Sequence, residues 1–254
     1  MYLCCAITNQ GVRPNNEDAL LIHKTIVTEG VTETRLQAPF IAAVADGVSG
    51  EHSGEVASFT CLDMLRVVNF SSRTDMDAEL NNIHQTLAQI GAQDDETVNM
   101  QTTLCAVGID ENQMIHTINV GDSRLYRYRS GTLIQLSRDQ SLVQMLYEEG
   151  SITKAEKETH KQRNIIFPVL GNIKSMPIFD IQVLEEQVEY GDVLLLCSDG
   201  LSDYVSSPEM EEILAMPKPL IRRMQLLTQQ ALENHSTDNI TVIGLTKVLD
   251  EKKR

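Results

Sequence analysis

Four aspartates in this chain stand where a carboxylate could do chemistry. Asp46 and Asp199 directly precede a glycine, Asp122 follows one, and Asp238 precedes Asn239. Three of the four come at the end of an apolar, strand-like run. A carboxylate there is costly unless a cation neutralises it, and the glycine lets a backbone or a ligand come close. The recurrence predicts a site for a hard metal ion, although each Asp-Gly pair taken alone is more simply a turn dipeptide.

Short strand patterns alternate with two helical blocks and must position these aspartates. Runs typical of strands cover 3–9, 19–27, 40–45, 103–109, 114–120, 124–129, 178–184, 192–197 and 239–246. Their hairpin-like succession predicts antiparallel sheets. Helices are predicted at 53–68, 77–92, 207–215 and 218–234, where Pro208 and Pro219 suit first-turn positions. The pattern therefore predicts an α+β fold.

Short motifs surround the aspartates and follow one another along the chain. They are G-V-R-P-N-N-E-D (11–18), V-A-D-G-V-S-G-E-H-S-G-E-V-A-S (44–58), Q-T-T-L (101–104), V-G-D-S-R-L-Y (120–126), S-D-G-L-S-D (198–203) and T-D-N-I-T (237–241). In this order they resemble the motifs of metal-dependent Ser/Thr protein phosphatases of type 2C. The stretch 139–153, followed by R-N-I-I-F-P-V-L-G (163–171), is similar to the bacterial branch. The resemblance runs from Gly11 to Thr246, nearly the whole chain.

The resemblance implies a fold, an activity and a metal site. The fold is a four-layer α-β-β-α sandwich of two antiparallel sheets flanked by helices. The site holds two Mn²⁺ or Mg²⁺ ions, for which the matching ligands are Glu17, Asp46, the carbonyl of Gly47, Asp199 and Asp238. Asp46 is shared, Glu17 and Gly47 hold one ion, and Asp199 and Asp238 hold the other. Two such ions lower the pKa of a bridging water and stabilise in-line displacement at phosphorus, so no phosphoenzyme is needed.

Two further residues are predicted to be catalytic. Arg13 is suited to bind the substrate phosphate bidentately, because four carboxylates already balance the charge of two divalent ions. Without the family match it would be a surface arginine before a proline turn. Glu17 and Asp18 are adjacent, so on an extended strand their side chains point to opposite faces. Glu17 is therefore assigned to the metal, and Asp18 to holding water on that metal.

Asp122 and Asp203 resemble the positions that hold a third, weaker metal ion in bacterial relatives, with Asp199 shared. The alternatives are a hairpin turn for Asp122 and a helix cap or turn for Asp203. No His or Cys occupies a ligand position in the motifs, which favours Mg²⁺ or Mn²⁺ over zinc.

Two positions depart from the family pattern. Many members carry a histidine two to five residues after the first metal aspartate, whereas here His52 comes one residue later and is expected to be a solvated loop residue. Gln140 stands where relatives often have histidine. Neither change touches the metal carboxylates, so the expected reaction is unaffected. The proton donor to the leaving group is left open.

Composition limits the location and the partners. The net charge of −15 over 254 residues argues against nucleic acid or an anionic membrane surface as a partner. No apolar stretch approaches the ~18 residues of a membrane span, and the start M-Y-L-C-C lacks the features of a signal peptide. Five cysteines without a C-x-x-C pair fit reduced core thiols. These features predict a cytoplasmic protein, expected to be a monomer.

One phosphatase-like domain is predicted over 1–247, followed by a charged tail at 248–254. Within it, the resemblance to the bacterial branch implies that 139–177 forms a mobile flap beside the active site, and the polar, charged run at 148–163 fits a surface lid or substrate platform. An inert pair of helices is the alternative.

Three functions from different classes fit the chain. The first is a phosphoserine/phosphothreonine phosphatase acting on proteins and opposing a bacterial Ser/Thr kinase. The second is a catalytically silent phosphoprotein-binding module, against which the intact set Glu17, Asp46, Asp199 and Asp238 argues. The third is a hydrolase of small phosphoesters. The physiological substrate cannot be read from the sequence.

Overall fold

Two antiparallel β-sheets lie at the centre of the fold, and each carries helices on its outer face. The computed structural model describes residues 1–48, 53–93, 97 and 99–250. His52 and residues 251–254 of the predicted tail lie outside the described residues, so the predictions about them stay predictions.

The first sheet contains six strands. In spatial order they are β10 (Thr132–Gln135), β9 (Arg124–Arg129), β12 (Val193–Cys197), β13 (Ile240–Lys247), β1 (Tyr2–Asn9) and β4 (Gly30–Leu36). Every pairing within it is antiparallel. The first and last parts of the chain, β1 and β13, are thus neighbours at its centre.

The second sheet contains seven strands. The order is β11 (Asp180–Leu184), β8 (Ile115–Val120), β7 (Leu104–Ile109), β5 (Phe40–Val48), β2 (Asp18–Ile22) and β3 (Thr25–Val27), and the short β6 (Gln101–Thr102) pairs with the end of β5. All of these pairings are antiparallel as well.

Seven helices are found in the described part of the chain. They are α1 (Gly54–Val67), α2 (Met76–Gln93), α3 (Leu142–Glu148), α4 (Lys154–Thr159), α5 (Asp199–Ser202), α6 (Ser207–Ala215) and α7 (Leu220–Glu233). None of them is both long and apolar enough to cross a lipid bilayer.

Three clusters of buried apolar side chains separate four layers. Between the sheets, Cys4 and Ala6 of β1 pack with Leu20 of β2. Their neighbours Cys5 and Ile7 face the opposite way, into the cluster formed with α5, α6 and α7, as the alternation of side chains along a strand requires. The third cluster joins α1 and α2 to the second sheet. The predicted four-layer α-β-β-α sandwich is confirmed.

Some predictions about strands were wrong. The region 19–27 is two strands rather than one, because His23 adopts a left-handed backbone (φ 55°) that reverses the chain between β2 and β3. The strand β4 was missed because its sequence, G-V-T-E-T-R-L, is largely polar, and three of its seven residues are exposed and none is buried. The short strands β6 and β10 were missed too.

The four predicted helices are confirmed within two residues at each end. Pro208 lies in the first turn of α6, whereas Pro219 is the N-cap residue of α7 and so stands one position before the helix. The helices α3, α4 and α5 were not predicted individually. All five cysteines are buried free thiols, as predicted for core residues.

Candidate active site

The predicted site residues lie around one end of the sandwich, where strands of both sheets terminate. Asp46 and Gly47 lie near the end of β5, and Asp18 begins β2. Asp199 comes two residues after β12, and Asp238 two residues before β13. Because neighbouring antiparallel strands run in opposite directions, the end of one strand meets the start of the next at the same edge. The sandwich therefore brings together carboxylates that are far apart in sequence.

Asp18 and Asp46 stand directly opposite each other in the β2–β5 pairing. Like charges at opposed positions of an antiparallel pair destabilise it. Burial raises the pKa of Asp18 to about 6, against hydrogen bonds from Thr241 and Ser198 that lower it. The pKa of Asp46 also lies well above its usual value, first through burial and then through the charges of Asp18 and Asp199. Two opposed, buried carboxylates are unfavourable unless a proton or a cation offsets their negative charge.

Glu17 and the carbonyl of Gly47 flank one small space beside Gly54. A Cβ atom on Gly54 would lie 3.0 Å from Cδ of Glu17 and 3.1 Å from the carbonyl oxygen of Gly47. Gly47 is in turn so close to Gly54 that a Cβ on it would stand 2.3 Å from the Gly54 carbonyl oxygen. The amide of Gly47 donates to the carbonyl of Glu17 (3.1 Å). The two glycines thus leave a cradle with a carboxylate on one side and a carbonyl on the other.

The carboxyl group of Asp18 is held by hydrogen bonds from the first sheet. Ser198 Oγ donates to Asp18 Oδ2 (2.7 Å) and accepts from the amide of Thr241 (3.1 Å). Asp18 is only 2% exposed. Asp199 directly follows this serine, and its pKa lies well above the ordinary value through burial and the charges of Asp122, Asp203 and Asp238. Ser198 therefore fixes one carboxylate and leads directly into the next.

Arg13 and Asp238 form a bidentate ion pair. Nε of Arg13 donates to Oδ1 (3.1 Å) and Nη2 to Oδ2 (2.7 Å) of Asp238. Both side chains are partly exposed, 45% and 33% respectively. The hydrogen bonds to Asp238 are the main reason that the pKa of Arg13 is raised. The predicted phosphate-binding residue and one predicted metal ligand are therefore bonded to each other in this structure.

Asn239 fixes the loop that carries Arg13. Its Nδ2 donates to the carbonyls of Gln10 (2.8 Å) and Asn15 (2.9 Å), and its Oδ1 accepts from the amide of Glu17 (2.8 Å). This asparagine lies in the T-D-N-I-T motif, but the sequence alone predicts no role for it. A polar residue that directly precedes a buried strand was the available signal.

Asp122 and Asp203 lie near each other and near Asp199. Burial and the negative charges of Asp139 and Asp203 raise the pKa of Asp122 to about 7. Asp203 is the C-cap residue of α5 and pairs with Arg163 (Nε–Oδ2 3.5 Å), while burial raises its pKa. The turn and helix-end positions that were the alternatives for these residues are present, alongside the shared negative field.

A cavity of about 1070 Å³ opens beside these two aspartates. It is lined by residues of α4, by the 202–209 stretch and by Asp139. Burial would raise the pKa of Asp139, but Arg124 (2.8 Å) and Lys157 (3.1 Å) bond its carboxylate and lower it overall. The cavity leaves room for a ligand next to the carboxylates.

The donor set fits a hard divalent cation. All the predicted ligands offer oxygen, which Mg²⁺ and Mn²⁺ prefer. As the side chains stand, no three His, Cys, Asp or Glu groups among the described residues are arranged tightly enough to hold an ion. Two features keep the carboxylates apart: their negative charges repel one another, and Arg13 donates hydrogen bonds to both oxygens of Asp238. The cradle beside Gly54 and the raised pKa values of Asp46 and Asp199 are what a cation would satisfy.

Comparison with known proteins gives concordant matches over this whole fold. The family model described as Protein phosphatase 2C matches residues 22–239. The chain is 32% identical over 257 aligned residues to the serine/threonine phosphatase stp of Listeria welshimeri, covering 97% of this chain and 96% of that protein.

Solved structures match as well. The serine/threonine phosphatase Stp1 from Staphylococcus aureus superposes with a TM-score of 0.81 at 30% identity, over 97% of this chain and 95% of that one. The catalytic domain of the serine threonine protein phosphatase PstP, in complex with two manganese ions, superposes with a TM-score of 0.76 at 28% identity, over 97% and 99% of the two chains.

Proposed function

Because this chain belongs to the protein phosphatase 2C family, we propose that its clustered carboxylates hold two divalent cations and that it hydrolyses phosphoserine and phosphothreonine directly with water. The chain is a bacterial-type protein serine/threonine phosphatase, and its family is metal-dependent. The observation that carries the two-cation proposal is the opposed pair Asp18 and Asp46. Among the described residues, no basic side chain bonds either carboxylate.

In this proposal five groups hold the ions. Asp46 is shared, Glu17 and the Gly47 carbonyl bind one ion, and Asp199 and Asp238 bind the other. The cradle beside Gly54 supports the first assignment, since both of its groups face the same space. When bound, two such ions polarise the phosphoryl group and make water a nucleophile near neutral pH. No covalent phosphoenzyme is then required.

Asp18 orients the attacking water in this proposal. Its Oδ2 is already fixed by Ser198, which in turn is fixed by the amide of Thr241. A carboxylate held this way presents its remaining lone pairs in one direction, so it can accept a hydrogen bond from water without reorganising.

Arg13 binds the substrate phosphate. Its bidentate contact with Asp238 supports this role, because the same fork geometry suits two oxygens of a phosphate. A cation on Asp238 would compete with Arg13 for the carboxylate and free the guanidinium for the substrate. Arg13 and Asp238 thereby exchange partners rather than leave a charge unpaired.

We extend the proposal to Asp122, Asp203 and the shared Asp199 as the site of a third, weaker cation. Support comes from the raised pKa values of all three carboxyls. The domain spans 1–247, and its 139–177 segment acts as a flap beside the cavity, with α3 and α4 as its helical part. The chain acts as a cytoplasmic monomer on the phosphoprotein targets of a Ser/Thr kinase.

The decisive experiment compares three substrate classes with Mn²⁺ and with a chelator. We expect phosphothreonine and phosphoserine peptides to be hydrolysed only with Mn²⁺ or Mg²⁺, and faster at equal concentration than a nucleotide or a sugar phosphate. Turnover that survives exhaustive chelation would refute the cation proposal. Binding of phosphopeptide without turnover would indicate a silent module, and preference for the small esters would indicate the third function class.

A further inference from the structure

Gln140 is a buried hydrogen-bonding residue beside the turn that carries Asp122. Its side-chain Oε1 accepts from the backbone amide of Gly121 (3.0 Å), and its backbone amide donates to the Gly121 carbonyl (2.9 Å). Gly121 has a left-handed backbone (φ +107°), and a Cβ there would lie 2.7 Å from Cγ2 of Thr103. Both main-chain polar atoms of Gly121 are thus bonded to Gln140, which sets the direction in which Asp122 leaves the turn.

Gln140 also bonds Phe167, within the 139–177 segment, and Ile178, the residue directly after it. Its Nε2 donates to the carbonyl of Ile178 (3.0 Å) and to that of Asn119 (3.3 Å). Its carbonyl accepts from the amide of Phe167 (2.8 Å). Phe167 and Ile178 belong to the stretch that returns from α4 to β11. One residue therefore bonds the turn of Asp122 and the return of the flap.

A carboxamide is the group that this position requires. It must accept on one side and donate two hydrogens on the other, and Gln140 is only 4% exposed. Neutral imidazole supplies one donor and one acceptor, and a carboxylate supplies acceptors alone. A buried carbonyl left without its donor is costly. The glutamine that departs from the family pattern is therefore matched to its surroundings, and a carboxamide carries no acidic proton that it could give to a leaving group.

We propose that Gln140 is a positioning residue that couples the 139–177 segment to the Asp122 turn, so that a displacement of one displaces the other. The meaning of this coupling for catalysis rests on the proposed function, since Asp122 is there a ligand of the third cation. The coupling itself concerns only this chain and can be measured without substrate.

The test is a double-mutant cycle read by hydrogen exchange of the amides of residues 121–123. Asn172→Ala loosens the flap return at a distance from Gln140, because Asn172 Oδ1 accepts from the amides of Lys174 and Ser175, four and three residues before Ile178. It also removes the bond from Asn172 Nδ2 to Gln101 Oε1 (2.8 Å), and because that loss is the same in every background, only the difference between backgrounds reports on Gln140. With Gln140 present, we expect Asn172→Ala to speed exchange at 121–123 by about tenfold, the effect of roughly one lost hydrogen bond.

In the Gln140→Met background the same Asn172→Ala change should add less than about twofold at 121–123, since the side-chain bonds that join Gly121 to Ile178 are lost and only the main-chain bonds of residue 140 to Gly121 and Phe167 remain. Gln135→Met is the matched control: Gln135 also bonds in this region, to Asp139 (2.7 Å), but does not contact Gly121 or Ile178. In that background the tenfold effect should remain. Equal acceleration in all backgrounds, or none in the wild type, would overturn the proposal.

Gln140→Glu provides a second variant if Gln140→Met does not fold. It keeps the size and the acceptor for the Gly121 amide, and at alkaline pH, where the buried carboxyl is ionised, it cannot donate to Ile178. The Asn172→Ala effect should vanish in this background too, and its persistence would equally contradict the coupling. Because exchange is measured without phosphopeptide, a wild-type protein without phosphatase activity would refute the proposed function and leave this result standing.

Discussion

Replacing Arg13 with methionine separates substrate binding from stability. In the structure Arg13 makes two hydrogen bonds to Asp238 across a half-exposed interface, at 3.1 and 2.7 Å. Such an exposed pair contributes about 0–1 kcal/mol to folding, because water screens it. For a domain of this size that corresponds to a change in Tm of no more than about 2–4 °C. The fold should therefore tolerate the substitution.

Catalysis should respond much more strongly. A charge-assisted hydrogen bond to phosphate is worth about 1.5–3 kcal/mol, so kcat/KM for a phosphothreonine peptide should fall roughly ten- to a hundredfold. Metal binding should persist and can tighten, since Asp238 no longer has a guanidinium competing for its oxygens. The half-saturating Mn²⁺ concentration is thus expected to stay equal or decrease.

Arg66→Met is the matched control. Arg66 pairs with Asp63 at 2.7 Å, and the two side chains are 44% and 42% exposed, close to the values for Arg13 and Asp238. Steady-state kinetics, Mn²⁺ titration and thermal unfolding of both variants decide the matter. If Arg13→Met raised the Mn²⁺ requirement while kcat/KM at saturating Mn²⁺ matched that of Arg66→Met, Arg13 would be a structural support of the metal site and not a phosphate ligand.

Further outcomes follow from the same site. Asp46→Asn should abolish measurable phosphopeptide turnover at any Mn²⁺ concentration, and activity within a few-fold of wild type would remove the shared-ligand assignment. Gly54→Ala should weaken Mn²⁺ binding by calorimetry while leaving Tm nearly unchanged, because the new Cβ enters the cradle of Glu17 and Gly47; unaltered binding would show that the cradle holds no ion. Asp122→Asn should raise the Mn²⁺ concentration needed for full rate with the fold intact, whereas a lower Tm and an unshifted activation curve would make Asp122 structural. In the presence of a chelator, wild type should lose stability as pH rises from about 4 to about 7, because the folded-state pKa of Asp122, about 7, exceeds its unfolded value. The stability of Asp122→Asn relative to wild type should therefore increase over this pH range. A stability difference that does not change with pH would contradict the raised pKa.

Much of the fold was accessible from sequence, for a physical reason. The run 40–45 of β5 and the whole of β12 are continuous and apolar, so their pattern is strong and their ends place Asp46 and Asp199. The strand β8, which leads to Asp122, is fully buried although it carries the polar residues His116, Thr117 and Asn119. Edge strands carry a weaker signal. The strand β4 lies at the edge of the first sheet beside β1, three of its seven residues are exposed, and its polar sequence gave no strand pattern.

Contacts between distant segments were not accessible. Nothing in the local sequence indicates that Asn239 bonds the loop of Arg13, that Gln140 bonds Gly121 and Ile178, or that Arg13 pairs with Asp238. These partners lie between 19 and 229 residues apart in sequence. Spacing can indicate which carboxylates belong to a site, whereas the groups that orient them depend on how the two sheets stack.

The buried carboxylates of the site destabilise the folded protein when no cation is bound. Asp18 faces Asp46 across β2 and β5; burial raises the pKa of both carboxyls, and the charge of Asp18 raises that of Asp46 further. Neutral donors, Ser198 and Thr241, hold Asp18 in place of a buried basic residue. A permanent cation there would satisfy the carboxylates and remove their affinity for metal. Neutral donors hold the carboxyl group in place without neutralising its charge, so a divalent ion can stabilise the folded state on binding. The carboxyl groups with raised pKa values are therefore the ones that a bound cation would stabilise most.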